Sequence, residues 1–278
     1  MDVIHTVAEL RARLKGEPSI ALVPTMGNLH PGHLSLVEVA KRHGTRIVAT
    51  IFVNRLQFEP GGDFDRYPRT LEHDCAALEE AGCHVVFAPG ERELYPEPQD
   101  IRLTPPKSAE QLCGLFRPGH FEGVLTVVTK LFHIVAPHTA VFGAKDYQQL
   151  HVIRALERQL NFGIRIVAAP TVREPDGLAM SSRNGYLTRE ERAKAPQLQQ
   201  NIRRIKDLIE GGRKDFDALL RGAVDDLTGA GWRVDYVALR NRSKLEAPVP
   251  GDRELVVLGA AWLGKTRLID NLEVLATP

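Results

Sequence analysis

A chain of 278 residues, 43% of them hydrophobic, carries enough apolar mass for one large or two modest packed domains, and its formal net charge of +1 provides no overall attraction to nucleic acid. Divided at Thr171, the first part holds 18 basic and 19 acidic residues and the rest 18 and 16, so neither part has the basic excess of a nucleic-acid binder. No apolar run nears the roughly 20 residues that span a bilayer, and the first residues include acids and no hydrophobic leader core, so a soluble, cytoplasmic protein without membrane attachment is expected.

The first strong element is an apolar run at residues 20–23, which reads as a buried strand. It leads into Pro24-Thr25-Met26-Gly27-Asn28-Leu29-His30-Pro31-Gly32-His33, a sharp turn that opens a helical pattern. Gly27 and Gly32 let the backbone approach a ligand, and two imidazoles three residues apart share the first helical turn. The N–H groups and positive dipole end of such a turn suit a polyphosphate. The H-x-G-H spelling is similar to the nucleotide-binding element of nucleotidylyltransferases and class I aminoacyl-tRNA synthetases, a superfamily signal that names no substrate.

A second strand is expected at residues 46–52, and Asn54 and Gln57 follow it closely. Side-chain amides there both donate and accept, which suits hydroxyls and carboxylates. Gly61-Gly62-Asp63 reads as a mobile loop, and Tyr67-Pro68-Arg69 supplies an aromatic wall and a guanidinium. The three cysteines, Cys75, Cys83 and Cys113, are widely spaced with no C-x-x-C pair, so reduced structural thiols are expected.

Further strands are expected at residues 84–87, 139–142 and 164–168, with helical stretches between several of them. That alternation predicts an α/β domain over residues 1–171 with a Rossmann-like parallel sheet, whose ligands sit at the carboxyl ends of its strands. Gly143-Ala144-Lys145-Asp146 follows one such end: the ammonium can bind phosphate oxygens, Asp146 can cap the next helix, and Gln149 lies one turn further on.

Beyond Pro170 a turn-rich segment leads to Met180-Ser181-Ser182-Arg183-Asn184, whose hydroxyls and guanidinium suit the β- and γ-phosphates of ATP and resemble a mobile K-M-S-K-S-type loop. A serine nucleophile is the weaker reading, because no G-x-S-x-G elbow surrounds these residues. Helices at 189–210 and 215–227 and strands at 234–239, 254–259 and 266–271 predict a smaller α+β domain over residues 172–278. Within it, residues 259–266 spell G-x-x-x-x-G-K-T. This is a decoy: a phosphate loop must open a helix, and residues 267–270 read as strand. Zinc on His30 and His33 is not expected either, since no further ligands stand at metal-site spacing.

Together, P-T-M-G-N-L-H-P-G-H, F-V-N-R-L-Q-F, Y-P-R-T, G-H-F-E-G-V-L-T-V-V-T-K-L-F, G-A-K-D-Y-Q-Q-L and R-E-P-D-G-L-A-M-S-S-R-N, in that order, closely resemble the pantoate–β-alanine ligase family. The resemblance implies two steps. The carboxylate of (R)-pantoate attacks the α-phosphorus of ATP to give pantoyl adenylate and pyrophosphate, and the amine of β-alanine then displaces AMP. It further implies that magnesium accompanies ATP, that residues 24–33, Gly143, Ala144, Lys145, Asp146, Val172, Met180, Ser181, Ser182 and Arg183 contact the nucleotide, and that His33 donates a proton. Gln57 and Gln149 would hold pantoate, Asn54 and Tyr67 would line its pocket, and the protein would be a homodimer. Three places depart from the family pattern: Arg55 replaces a usual proline, Gly61-Gly62-Asp63 a more acidic loop, and Ala144 a usual glutamate. The rivals are a nucleotidylyltransferase that stops after transferring a nucleotide to a phosphate-bearing acceptor, and an RNA-holding synthetase fragment, which the balanced charge disfavours.

Overall fold

Four consecutive apolar residues, Ile20-Ala21-Leu22-Val23, suit a strand covered on both faces. The computed structural model, which describes residues 1–59 and 61–277, places them in the middle of a parallel sheet. The chain falls into two units, Met1–Ala144 with Gln149–Pro170, and Lys145–Gln148 with Thr171–Pro278.

In chain order the first unit contains β1 (Asp2–Ile4), α1 (Val7–Leu14), β2 (Ile20–Thr25), α2 (Pro31–Ala40), β3 (Arg46–Ile51), a 3-10 turn at Arg55–Gln57 and α3 (Leu71–Glu80). Then come β4 (Val85–Phe87), the short α4 (Glu91–Leu94) and α5 (Cys113–Phe116), α6 (His120–Val135), β5 (Thr139–Gly143), α7 (Tyr147–Leu160) and β6 (Arg165–Ala169). Only the first residues of α7 group with the second unit.

The six strands pair in parallel in the order β1-β4-β3-β2-β5-β6. Alternate residues of each strand face opposite layers. Leu22, Val48, Val85 and Phe142 pack with Leu10 and Leu14 of α1, Phe121 and Leu125 of α6 and Ile153 of α7. Ala21, Val23, Ile47 and Val86 pack with Leu36 and Val37 of α2 and Leu78 of α3. The strand order reverses between β2 and β5, which are hydrogen-bonded neighbours. In open α/β sheets a ligand crevice lies outside the carboxyl ends at such a reversal. The turn after β2 and the Gly143-Ala144 end of β5 both stand there.

The 3-10 turn lies against α6 because Gly123 has no side chain: a Cβ there would run into the Leu56 carbonyl and lie 2.6 Å from the Gln57 nitrogen. Overpacking against backbone leaves little to give, so Gly123→Ala should destabilise the protein by about 2–3 kcal/mol, read as a lower urea midpoint. An unchanged midpoint would contradict this packing.

The second unit holds α8 (Arg189–Lys194), α9 (Gln197–Glu210), α10 (Phe216–Gly229), β7 (Arg233–Asn241), β8 (Glu254–Leu263) and β9 (Thr266–Leu275), the strands forming an antiparallel sheet β7-β8-β9. Ile202, Ile205 and Ile209 of α9 and Ala223 and Leu227 of α10 pack on Leu239, Leu255 and Val257. The helix expected over 189–210 is two helices, because Pro196 cannot supply the N–H that would continue α8 and its φ of −62° suits the start of α9. Strand β1 escaped notice, being only three residues long. The G-x-x-x-x-G-K-T stretch is strand, turn and strand: Leu263 pairs with Thr266, leaving Gly264 at φ +57° and Lys265 as a two-residue hairpin.

Candidate active site

The turn after β2 bends through left-handed backbone at Gly27 (φ +81°) and Asn28 (φ +51°). A Cβ on Gly27 would come within 2.9 Å of Asp74 Oδ2, so this position has room only for glycine. Asp74, fully buried at the start of α3, holds the turn in shape. Its Oδ2 accepts from the Asn28 N–H at 2.9 Å and the Thr70 hydroxyl at 3.0 Å, and its Oδ1 from the Leu29 N–H at 2.8 Å. Sequence reasoning missed Asp74; it stands 46 residues from Asn28, with no local motif to mark it.

His30 is the N-cap of α2 and His33 its third residue. His30 Nδ1 accepts from the Gly32 N–H at 3.1 Å, and His33 Nδ1 from the His30 N–H at 3.4 Å. A backbone N–H can only donate, so Nδ1 is the acceptor in both rings and the neutral imidazole carries its proton on Nε2. The ring centroids are 4.0 Å apart. The start of α2 thus bears two Nε2–H donors together with the positive end of the helix dipole.

The carboxamides meet the same turn. Gln57 Nε2 donates to Met26 Sδ at 3.0 Å, while Gln57 Oε1 accepts from Asn54 Nδ2 at 3.2 Å. Asn54 is only 1% exposed; its Nδ2 also donates to the Gly123 carbonyl at 3.0 Å, and its Oδ1 accepts from the Tyr95 hydroxyl at 2.9 Å. Tyr67 is buried edge-on against Phe58 at 5.9 Å. Arg55 lies over the Phe64 ring at 4.0 Å and pairs with Glu91, the first residue of α4, at 3.1 Å. Gln149, partly exposed on α7, follows the Gly143-Ala144 strand end within the first unit.

Lys145 and Asp146 group instead with the second unit, as do Val172 and Met180 to Arg183. Their common support is β9. Asn271 Nδ2 donates to the Lys145 carbonyl at 2.9 Å, and Asp270, 4% exposed, takes a bidentate fork from Arg173 at 2.6 and 2.9 Å. The Met180 N–H reaches the Val172 carbonyl at 3.0 Å and Arg173 bridges Ala179, so residues 172–180 fold back on themselves. Ser181 caps the following 3-10 turn by accepting from the Arg183 N–H at 3.3 Å. Asp270 and Asn271 also went unnoticed in the sequence, where they are simply two polar residues in a strand.

The thiol of Cys83 is buried and its pKa raised by that burial. Among the described residues no group of three or more histidines, cysteines and acids stands together as a metal site, and no helix is long and apolar enough to cross a membrane.

Comparison with known proteins shows the family of the chain. The family model described as pantoate-beta-alanine ligase matches residues 2–273. The pantothenate synthetase of Thiobacillus denitrificans is 61% identical over 275 residues, covering 99% of this chain and 97% of that protein. The Nitrosospira multiformis pantothenate synthetase is 58% identical, covering 99% and 98%. The crystal structure of pantothenate synthetase from Thermus thermophilus superposes with a TM-score of 0.93 at 45% identity, covering 99% of this chain and all of that one. That of the pantoate-beta-alanine ligase from Francisella tularensis, complexed with beta-gamma ATP and beta-alanine, gives 0.83 at 32% identity over 98% and 97% of the two chains. The chain belongs to the pantoate–β-alanine ligase family.

Proposed function

We propose that the groups described above carry out the family reaction, the ATP-dependent condensation of (R)-pantoate with β-alanine to pantothenate, AMP and pyrophosphate through pantoyl adenylate. The observation that carries the assignment is the pair of imidazoles at the start of α2, whose Nδ1 atoms are taken up by backbone N–H groups, at the point where the strand order reverses.

Adenylation needs negative charge stabilised on a five-coordinate phosphorus and on departing pyrophosphate. Donors held in place before the reaction do this without reorganisation. His30 and His33 supply Nε2–H donors, with His33 directing its Nε2–H as a hydrogen bond to the phosphate oxygens on which charge grows as pyrophosphate leaves. Lys145, Ser181, Ser182 and Arg183 neutralise the phosphates, and the turn at residues 24–33 with Gly143, Ala144, Asp146, Val172 and Met180 seats the nucleotide. Gln57 and Gln149 orient pantoate, with Asn54 and Tyr67 shaping its pocket. The carboxylate of pantoate is itself the nucleophile, so no covalent enzyme intermediate is involved, and catalysis rests on positioning and charge.

Magnesium enters as part of the nucleotide substrate, held by phosphate oxygens as its preference for hard ligands dictates. Carried over from the family resemblance are a homodimeric assembly and a cytoplasmic location.

Purified protein given ATP, magnesium and (R)-pantoate should release pyrophosphate, and AMP should follow only when β-alanine is added. Release of AMP at the same rate without β-alanine, or transfer of the nucleotide to a phosphate-bearing acceptor, would overturn the ligase reading.

A further inference from the structure

A glutamine amide can offer a ligand either a carbonyl oxygen or an NH2 group, and only the second is useful to an anion. In this chain the choice is settled by a relay through the buried Asn54 that begins at backbone. The Gly123 carbonyl can only accept, so the amide of Asn54 must turn Nδ2 toward it, at 3.0 Å. Asn54 Oδ1 then faces Tyr95, whose hydroxyl must donate, at 2.9 Å. The second hydrogen of Asn54 Nδ2 meets Gln57 Oε1 at 3.2 Å, which turns Gln57 Nε2 away from the relay, toward Met26 Sδ at 3.0 Å. A thioether is a weak acceptor, so an anionic oxygen arriving there replaces it at a gain.

We infer that Tyr95 is a positioning residue for pantoate: acting through Asn54, its hydroxyl holds the Gln57 amide with the NH2 group toward the substrate. The inference rests on the assignment of pantoate to Gln57 made above. Tyr95 is placed for this by its surroundings. Its ring packs 6.0 Å from Phe52, and the Lys130 ammonium lies 4.7 Å from the ring centroid while donating to Gln99 Oε1 at 2.8 Å. Burial pushes the phenol pKa well above its ordinary value, so the hydroxyl keeps its proton, and with it the direction of the relay, throughout the neutral range. None of the motifs that mark the nucleotide site includes this tyrosine.

The variants Tyr95→Phe, Gln57→Leu and the double variant test the relay by steady-state kinetics with pantoate and ATP varied separately. Tyr95→Phe keeps the ring and its packing and removes only the donor, leaving Asn54 Oδ1 without its partner. The expected result is a pantoate KM raised about tenfold, the scale of one lost buried hydrogen bond, with the ATP KM within about twofold of its starting value. Because both residues act through one amide, adding Tyr95→Phe to Gln57→Leu should cost almost nothing more. ATP binding measured by calorimetry on the same samples reports on the fold. If Gln57→Leu raises the pantoate KM and Tyr95→Phe does not, the relay is refuted while the assignment of Gln57 stands. If Tyr95→Phe disturbs both substrates equally and weakens ATP binding, its role is structural and the inference fails. An ordinary pantoate KM in Gln57→Leu removes the assignment of Gln57 itself.

Discussion

Replacing His33 with alanine should lower the rate of pyrophosphate release from ATP and pantoate by about 10²–10³, the usual cost of losing one preorganised donor to a developing oxyanion. The effect is large because the donor is fixed in advance. Nδ1 of His33 takes the His30 N–H at 3.4 Å, which leaves Nε2 as the protonated nitrogen without any rearrangement during the reaction. The fold should survive, since the bond lost is a long one at a helix start, costing about 1 kcal/mol or less. A single-turnover measurement of pyrophosphate release isolates the step from later chemistry. Near-normal release by the alanine variant would strip His33 of its role. His33→Gln, which can still present an N–H, should recover part of the loss.

The second large effect is expected at Asp74. Its buried carboxylate accepts from two backbone N–H groups of the turn after β2 and from Thr70, at 2.8–3.0 Å. Alanine in its place would strand those N–H groups away from water, and hydrogen bonds to a charged acceptor are worth about 1.5–3 kcal/mol each. Asp74→Ala should therefore cost about 3–5 kcal/mol of stability, read as a lower urea midpoint, and raise the ATP KM because the left-handed turn at Gly27 and Asn28 loses its brace. Asp74→Asn retains one acceptor oxygen and puts an NH2 against the other donor, so its effect should fall between the two. A native midpoint together with a native ATP KM in Asp74→Ala would show that the carboxylate does not hold the turn.

Local signals in the chain were enough to locate the turn after β2. Glycine at 27 and 32 and histidine at 30 and 33 act within a few residues of one another, so their consequence, a tight turn opening a helix with two imidazoles at its start, is written in consecutive positions. The parallel sheet was legible for a similar reason: buried strands such as residues 46–51 carry runs of apolar side chains, with helical stretches between several of them. The hairpin at Gly264 and Lys265 was recognisable as something other than a phosphate loop because strand-like residues follow it.

Tertiary structure alone decided which distant groups complete those local pieces. Asp74 reaches back 46 residues to Asn28, Tyr95 41 residues to Asn54, and Gly123 69 residues to the same amide. Asn271 meets the carbonyl of Lys145 across 126 residues, and with Asp270 it draws the Lys145 turn and the Val172–Arg183 stretch, through Arg173, onto one strand of the second unit. The reason is physical. Backbone propensity and hydrophobic period act over one or two turns and are carried by neighbouring residues, whereas a buried polar group must find whichever partner the packed core brings within about 3 Å. Such a partner has no fixed spacing in the chain, so an isolated aspartate, tyrosine or glycine becomes a brace for the site only after the helices have closed over the sheet.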